Sequence, residues 1–121
     1  MNFFDEDVDW FSPGPVEIIP YAGQRVGRKE VAGFFKALVD SEEIERFEPR
    51  EFFAQDDKIV AFGNYRCRVR ATGRALEYDW VHVHSVRDGK LASFREYYDT
   101  AAAVEAHQPA LLTATANNKA I

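Results

Sequence analysis

The sequence lacks the features that mark several large classes of protein. Its single cysteine, Cys67, cannot form an internal disulfide, and no segment resembles a signal peptide or the long apolar run that crosses a bilayer. Basic residues number 15 against 20 acidic ones, and a formal net charge of -5 has the wrong sign for neutralising nucleic-acid phosphates or anionic lipid. We therefore expect a cytoplasmic protein that binds neither nucleic acid nor membrane.

Signals for cofactors are also scarce. The glycines stand singly and never form a phosphate-cradling loop, and no serine lies in a nucleophile elbow. His82 and His84 alternate on one predicted strand, a spacing that two metal ligands can have, but no third ligand accompanies them. We expect both histidines to hydrogen-bond a neighbour or a ligand, and we predict no metal and no other cofactor.

Apolar and aromatic residues, by contrast, are plentiful. They make up 46% and 14% of the 121 residues, which is enough to form one domain with a substantial core. We predict a domain over residues 1–108 and a C-terminal tail over residues 109–121. That tail carries Leu111 and Leu112, but most of the residues after them are Thr, Ala and Asn, and its end is expected to be disordered.

The spacing of apolar residues predicts the order of the elements. A strand near residues 8–12 stops at Pro13, a loop continues to Gly27, and a helix over residues 28–40 carries Val31, Phe34, Phe35 and Leu38 on one side. From Ile44 the period changes to two, and three turns divide the segment into a four-stranded meander. Asp99 and Thr100 then cap a short helix over residues 101–107.

The second and third strands of the meander have alternating faces. Pairing them around Gly73 sets Arg68 opposite Glu77 and Arg66 opposite Asp79, which separates all the charge from an apolar face. That apolar face carries Tyr65, Cys67, Tyr78, Trp80, His82 and His84. We interpret it as the concave, inward face of the sheet and Cys67 as a buried structural thiol.

The last strand holds the groups best suited to proton transfer. It ends in two carboxylates, Glu96 and Asp99, and two phenols, Tyr97 and Tyr98, which can donate or accept protons when water is excluded. The spacing alone also allows two plainer interpretations. Asp99 can be an ordinary helix cap, and Glu96 a solvated strand residue.

Several segments together resemble a known family. Val8-Asp9-Trp10-Phe11-Ser12-Pro13-Gly14, Val86-Arg87-Asp88-Gly89-Lys90 and Phe94-Arg95-Glu96-Tyr97-Tyr98-Asp99 are similar to the SnoaL-like, ketosteroid-isomerase-related branch of the nuclear transport factor 2-like superfamily. The resemblance covers roughly residues 3–107. It implies an α+β conical barrel, in which a strongly curved antiparallel sheet and its helices enclose a pocket for a small apolar molecule.

The resemblance also suggests roles for individual residues. Ser12 stands where ketosteroid isomerases keep a catalytic aspartate, and His82 stands at their oxyanion-hole position, where it can donate to a carbonyl oxygen. Epoxide hydrolases and cyclases of the superfamily place a catalytic aspartate at the position of Asp99. Alternation along the strand instead points Phe94, Glu96 and Tyr98 inward, so Asp99 and Glu96 both remain candidates.

We therefore expect a cofactor-independent acid–base enzyme of the isomerase, cyclase or epoxide-hydrolase type, or a non-catalytic ligand-binding or dimerisation module of the same fold. The catalytic candidates are Asp99, His82 and Glu96. The expected pocket residues are Trp10, Ser12, Phe34, Tyr65, Cys67, Tyr78, Trp80, His84, Phe94 and Tyr98. The resemblance further implies a homodimer, paired through the charged outer face of the sheet.

Family members usually carry one or two helices before the first strand, whereas this chain begins almost at that strand. The pocket is then expected to lack part of its lid. Three alternatives stay open: a longer native chain, a covering by the C-terminal tail, or a covering by a partner subunit.

Overall fold

The computed structural model describes residues 3–108, so the predicted tail at residues 109–121 lies outside the described part. The chain forms one sheet and two helices, in an α+β arrangement. In chain order the elements are β1 (Phe4–Ser12), β2 (Gly23–Val26), α1 (Arg28–Ser41), β3 (Glu42–Gln55), β4 (Lys58–Val69), β5 (Ala75–Arg87), β6 (Lys90–Tyr97) and α2 (Thr100–His107). Within residues 3–108, neither helix is both long and apolar enough to cross a bilayer.

The six strands form one curved sheet in the order β2-β1-β6-β5-β4-β3. The predicted α+β class and the meander from β3 to β6 are confirmed. The sheet does not close into a barrel, however, because β2 and β3 are edges that do not pair with each other. β1 joins the meander by pairing parallel to β6. The segment predicted as a loop contains β2, whose four residues are too few to show a period of two.

The β4–β5 hairpin keeps its predicted faces but not its predicted partners. Arg66 faces Glu77 rather than Asp79, and Cys67 faces Leu76. The reason is the position of the loop: Val69 N donates to Arg74 O at 2.8 Å, so the four loop residues are 70–73 and Gly73 is the last of them, with φ at +75°. Moving a loop by one residue shifts the pairing by two, and a shift of two leaves every side chain on its face.

Helix α1 crosses the concave face of the sheet. Val31 and Phe34 are buried there, as the helical spacing predicts, whereas Phe35 is 41% exposed. The helix backbone lies closest to β1, β2 and β3, and a gap remains between the helix and strands β5 and β6. That gap between helix and sheet is where the cavity lies.

Gly63 is the position where the sheet demands a glycine. It pairs with Trp80, and a β-carbon at Gly63 would lie 2.2 Å from Cζ2 of Trp80 and 2.4 Å from the carbonyl oxygen of Glu48. The missing side chain lets the Trp80 indole lie flat over β4. There its ring contacts those of Phe47 and His82, with centroid distances of 5.0 and 3.9 Å, and the Phe47 and His82 rings are themselves 6.1 Å apart.

We predict that Gly63→Ala lowers the free energy of unfolding by about 1–3 kcal/mol, because the added methyl group displaces the Trp80 ring from its packed position. Urea denaturation measures the loss. Gly33→Ala is the matched control, because its closest neighbour is the flexible guanidinium of Arg25 at 3.0 Å and alanine is favoured inside a helix. Equal stability of Gly63→Ala and wild type would contradict this account.

Candidate active site

A cavity of about 390 Å³ lies between α1 and the concave face of the sheet. Its walls are almost entirely aromatic and aliphatic, and the polar side chains are few. The lining consists of Trp10, Tyr21, Phe34, Phe35, Leu38, Val39, Ile44, Phe47, Tyr65, Tyr78, Trp80, His82, His84, Phe94 and Glu96. Such a cavity suits a small, largely apolar molecule that carries a few polar groups.

Cross-strand pairing sets the polar groups of the cavity side by side. His82 on β5 faces Glu96 on β6, and one step along the strands His84 faces Phe94. Phe94 in turn faces Trp10 on β1, with the two rings stacked at 3.9 Å between centroids. Because side chains two residues apart share a face, one wall of the cavity carries both histidines and the carboxylate.

Glu96 is the only carboxylate in the cavity lining among the described residues, 3–108, and it is 8% exposed. Ser12 Oγ donates a hydrogen bond to its Oε1 at 2.5 Å. His82 Nε2 lies 3.3 Å from its Oε2, and the side chains of His82 and Glu96 are only 12% and 11% exposed. A carboxylate and an imidazole in contact and largely shielded from water can pass a proton between themselves and a bound molecule.

His84 is a neutral imidazole in the cavity wall. Burial, reinforced by the neighbouring His82, lowers the pKa of His84 to about 4, so it is uncharged near pH 7. Its Nδ1 is enclosed by protein and has no hydrogen-bond partner among residues 3–108. Near neutral pH, Glu96 and His82 therefore have an uncharged polar neighbour.

Behind the cavity wall lies a second buried carboxylate, Glu42, which is 1% exposed. It accepts hydrogen bonds from the hydroxyls of Tyr21 and Tyr65, both at 2.6 Å, and from the thiol of Cys67 at 3.4 Å. His107 Nε2 lies 3.0 Å from its Oε2, at ion-pair distance although without hydrogen-bond alignment. Tyr21 and Tyr65 line the cavity, so Glu42 holds part of its wall from behind.

The Glu42 site is arranged for a charged pair. Nδ1 of His107 donates to the carbonyl of Ala103 at 2.8 Å while Nε2 faces Glu42, so each ring nitrogen has an acceptor beside it. Burial opposes the charge on His107, but Glu42 and Ala103 outweigh it and raise the pKa of His107 above its ordinary value. Burial likewise opposes the charge on Glu42, but His107, Tyr21 and Tyr65 lower the pKa of Glu42 below its ordinary value.

Comparison with known proteins identifies the family. Residues 1–94 match the model of the SnoaL-like domain. The chain belongs to the SnoaL-like family. Among proteins with curated functions, none matches it.

Solved structures agree with this family assignment. A nuclear transport factor 2-like protein from Burkholderia xenovorans is 36% identical, with a TM-score of 0.81 over 88% of this chain and 79% of that one. A second such protein, of unknown function, from Burkholderia pseudomallei is 25% identical, with a TM-score of 0.77 over 88% and 81%. TerC, crystallised with polyporic acid, is 28% identical, with a TM-score of 0.75 over 86% and 79%.

Most of the predicted pocket residues of this SnoaL-like protein line the cavity. They are Trp10, Phe34, Tyr65, Tyr78, Trp80, His84 and Phe94, together with the catalytic candidates His82 and Glu96. Their roles toward a ligand stay predictions. Three other expected pocket residues lie behind the lining: Ser12 holds Glu96, Cys67 donates to Glu42, and Tyr98 donates to the carbonyl of Pro13 at 3.0 Å.

Asp99 is placed differently from the expectation that it reaches the pocket. Its side chain is exposed and accepts a hydrogen bond from Ala102 N at 3.0 Å, as the N-cap of α2. The regular pairing from Ser93 to Tyr97 turns Glu96 inward, and the register shift in β6 comes before Ser93, too early to turn Asp99 inward. Of the two alternatives left open by the sequence, Glu96 is the one inside the cavity.

No sequence pattern predicted a site role for Tyr21, Glu42 or His107. Glu42 stands at the junction of α1 and β3, where a glutamate ordinarily faces water, and only the fold brings the other groups to it. Within residues 3–108, no three His, Cys, Asp or Glu side chains are grouped closely enough to hold a metal ion.

We predict that Glu42→Gln lowers the free energy of unfolding by about 3–5 kcal/mol at pH 7, the loss usual when one partner of a buried ion pair is removed. Glu43→Gln is the control: the neighbouring side chain is 62% exposed, and its loss should stay within about 0.5 kcal/mol. Urea denaturation compares the two variants. Equal stabilities would mean that Glu42 is not a structural anchor.

The same ion pair predicts a pH dependence. A histidine whose pKa is raised in the folded state contributes stability below its unfolded pKa and loses that contribution as the pH rises through the folded pKa. The stability deficit of His107→Gln relative to wild type should therefore shrink as the pH rises above 6.5, the ordinary pKa of histidine. A deficit that stays constant from pH 6 to about pH 9 would show that His107 is not charged in the fold.

Proposed function

We propose that this protein is a cofactor-independent acid–base catalyst that moves a proton on a small, flat, largely apolar molecule with a carbonyl or enol oxygen. The observation that carries the proposal is the contact between Glu96 and His82, 3.3 Å apart inside an aromatic cavity. The SnoaL-like fold is consistent with ligand binding and with isomerase- or cyclase-type roles. It does not by itself specify the reaction, because function depends on the site.

The chemistry of the pair supports proton transfer next to a carbonyl. Each oxygen of a carboxylate has two lone pairs, so Glu96 can accept from Ser12 and still take a proton from a ligand C–H. The electrons of that C–H bond move toward the carbonyl oxygen and give an enolate. The proton on Glu96 then returns to the oxygen or to another carbon, with His82 beside the carboxylate throughout.

The shape of the cavity supports a flat ligand. Trp80 and Phe47 lie parallel within 6°, and Trp10 and Phe94 stack at 20°, so the walls present broad ring faces. A structure of the related TerC was obtained with polyporic acid. We take that compound as the first probe for binding to this chain.

2-Tetralone, a bicyclic ketone with an acidic C–H beside its carbonyl, tests for catalysis. We predict that wild type accelerates exchange of those protons for deuterium in D2O, followed by proton NMR, and that Glu96→Gln reduces the acceleration by about 10²- to 10⁴-fold. Indole fluorescence should report binding of the ketone to both proteins, because Trp10 and Trp80 line the cavity.

Asp99→Asn is the matched control for this experiment. Asparagine caps a helix about as well as aspartate does. Replacing the exposed cap should therefore change neither the rate of proton exchange in 2-tetralone nor the stability of the protein. A rate lost in Asp99→Asn and kept in Glu96→Gln would reverse the assignment of the base. Binding of 2-tetralone by wild type with exchange only at the buffer rate would favour the non-catalytic binding module, in which Ser12 and His82 merely satisfy a buried carboxylate.

We also propose that the protein is a homodimer paired through the outer face of the sheet. That face carries an apolar patch in which Phe53 and Phe62 are 59% and 37% exposed and meet edge to face at 5.8 Å. Charges of both signs surround the patch, and Arg66 bonds both Glu45 and Glu77 there. A surface with both signs of charge can complement a second copy of itself across a twofold axis.

Light scattering of three proteins tests the dimer. We predict that wild type is a dimer at micromolar concentration and that Phe62→Glu is a monomer, because the variant places a charge in the apolar patch. Phe52→Glu is the control: Phe52 is 66% exposed but pairs with Ala61, so it lies on the opposite face. A monomeric wild type, or a Phe62→Glu dimer as stable as wild type, would contradict the proposal.

A further inference from the structure

We infer that His84 is a second polar contact for the ligand, a neutral N–H donor that selects molecules with two oxygens, one at the Glu96–His82 pair and one at His84. This inference rests on the proposed function for the general class of ligand, a flat apolar molecule with a carbonyl. It adds to that proposal the number of oxygens and their placement, and it assigns the recognition of the second oxygen to one residue.

The position of His84 separates it from the proton-transfer pair. Its ring centroid is 6.1 Å from that of His82, and the two rings are nearly perpendicular. The side chains beside His84 on the next two strands are uncharged rings. The Phe94 centroid lies 5.2 Å from that of His84, and Trp10 stacks on Phe94. His84 is therefore one polar group, beside the indole N–H of Trp10, that a ligand meets when its body extends from Glu96 along the Phe94–Trp10 wall.

The surroundings of Nδ1 indicate which nitrogen carries the proton. Nδ1 is enclosed and has no partner among residues 3–108. A buried N–H without an acceptor is rarer and more costly than a buried acceptor without a donor. Of the two neutral tautomers, the one with its proton on Nε2 and none on Nδ1 therefore fits these surroundings better. In that tautomer His84 offers an N–H to the cavity, and its partner is a ligand oxygen.

Three of the other polar side chains in the lining are already engaged, whereas the indole N–H groups of Trp10 and Trp80, like His84, have no partner among residues 3–108. The hydroxyls of Tyr21 and Tyr65 are both committed to Glu42. Glu96 accepts from Ser12 and lies against His82. A molecule with one oxygen, placed for proton transfer, would leave His84 facing its apolar part.

A series of ketones on one frame tests this selection. The probes are 2-tetralone and its 5-, 6- and 7-hydroxy derivatives, and the readout is the dissociation constant from indole fluorescence. At least one hydroxy isomer should bind wild type about 2- to 12-fold more tightly than 2-tetralone, the gain of one net hydrogen bond. In His84→Phe, which keeps a ring at this position, the ratio of the two dissociation constants should fall to about one.

Nitrogen-15 NMR of histidine-labelled protein tests the tautomer independently of any ligand. The chain has three histidines, so comparison with His84→Phe assigns the signal. We expect the Nε2–H form of a neutral ring from pH 8 down to about pH 5, since its pKa is about 4. A neutral ring with its proton on Nδ1 would overturn the role as a donor, and a charged ring at pH 7 would overturn the assignment of a neutral donor.

The outcomes separate this inference from the proposed function. A gain that persists in His84→Phe, or no gain for any isomer, overturns the assignment of His84 while proton exchange in 2-tetralone still stands. If wild type does not accelerate proton exchange in 2-tetralone but still binds a hydroxy derivative more tightly, the catalytic proposal is overturned and the binding role of His84 stands. Failure of all four ketones to bind wild type overturns both.

Discussion

A carboxylate that is 1% exposed keeps its charge only where enough donors replace the water it has lost, and Glu42 meets this condition with groups from separate parts of the chain. Tyr21 comes from the loop before β2, Tyr65 and Cys67 from β4, and His107 from the last turn of α2. Removing any of these segments would take a hydrogen-bond donor or the charge partner away from Glu42. The Glu42 carboxylate thus links the start of β3 to the loop before β2 and to helix α2.

That anchoring explains how an open cavity persists beside a dense core. The rings of Tyr21 and Tyr65 face the cavity while their hydroxyls are held from behind by Glu42. Trp80 is kept flat by the space above Gly63 and by the parallel rings of Phe47 and His82. Large rings that are fixed at their edges cannot collapse into the gap beneath α1, so the volume stays available to a ligand.

The sequence predicted what depends on local patterns. The period of two over the meander predicted which side chains face inward, and the helical spacing predicted that Val31 and Phe34 would be buried. It did not predict the pairing of β1 with β6, because a parallel contact between distant segments leaves no local pattern. The register of the β4–β5 hairpin was wrong by two residues for a related reason: alternation fixes faces, whereas the loop fixes partners.

The same distinction applies to the candidate site. Alternation was sufficient to select Trp80, His82 and His84 for the cavity wall, because they share one face of one strand. The choice between Glu96 and Asp99 required the end of β6, where the chain leaves the sheet and Asp99 turns to cap α2. Glu42 and His107 could not have been found, since 64 residues of intervening chain separate a glutamate and a histidine that each lack any distinguishing sequence pattern.

The two buried carboxylates finally differ in how fully their acceptor sites are used, and this difference separates structure from chemistry. An ionised carboxylate can accept about four hydrogen bonds. Glu42 has Tyr21, Tyr65, Cys67 and His107 around it, which leaves no room for a ligand. Glu96 has one donor, Ser12, and His82 at 3.3 Å, and it faces the cavity. One carboxylate is therefore saturated and holds the fold, while the other keeps lone pairs directed at whatever the cavity binds.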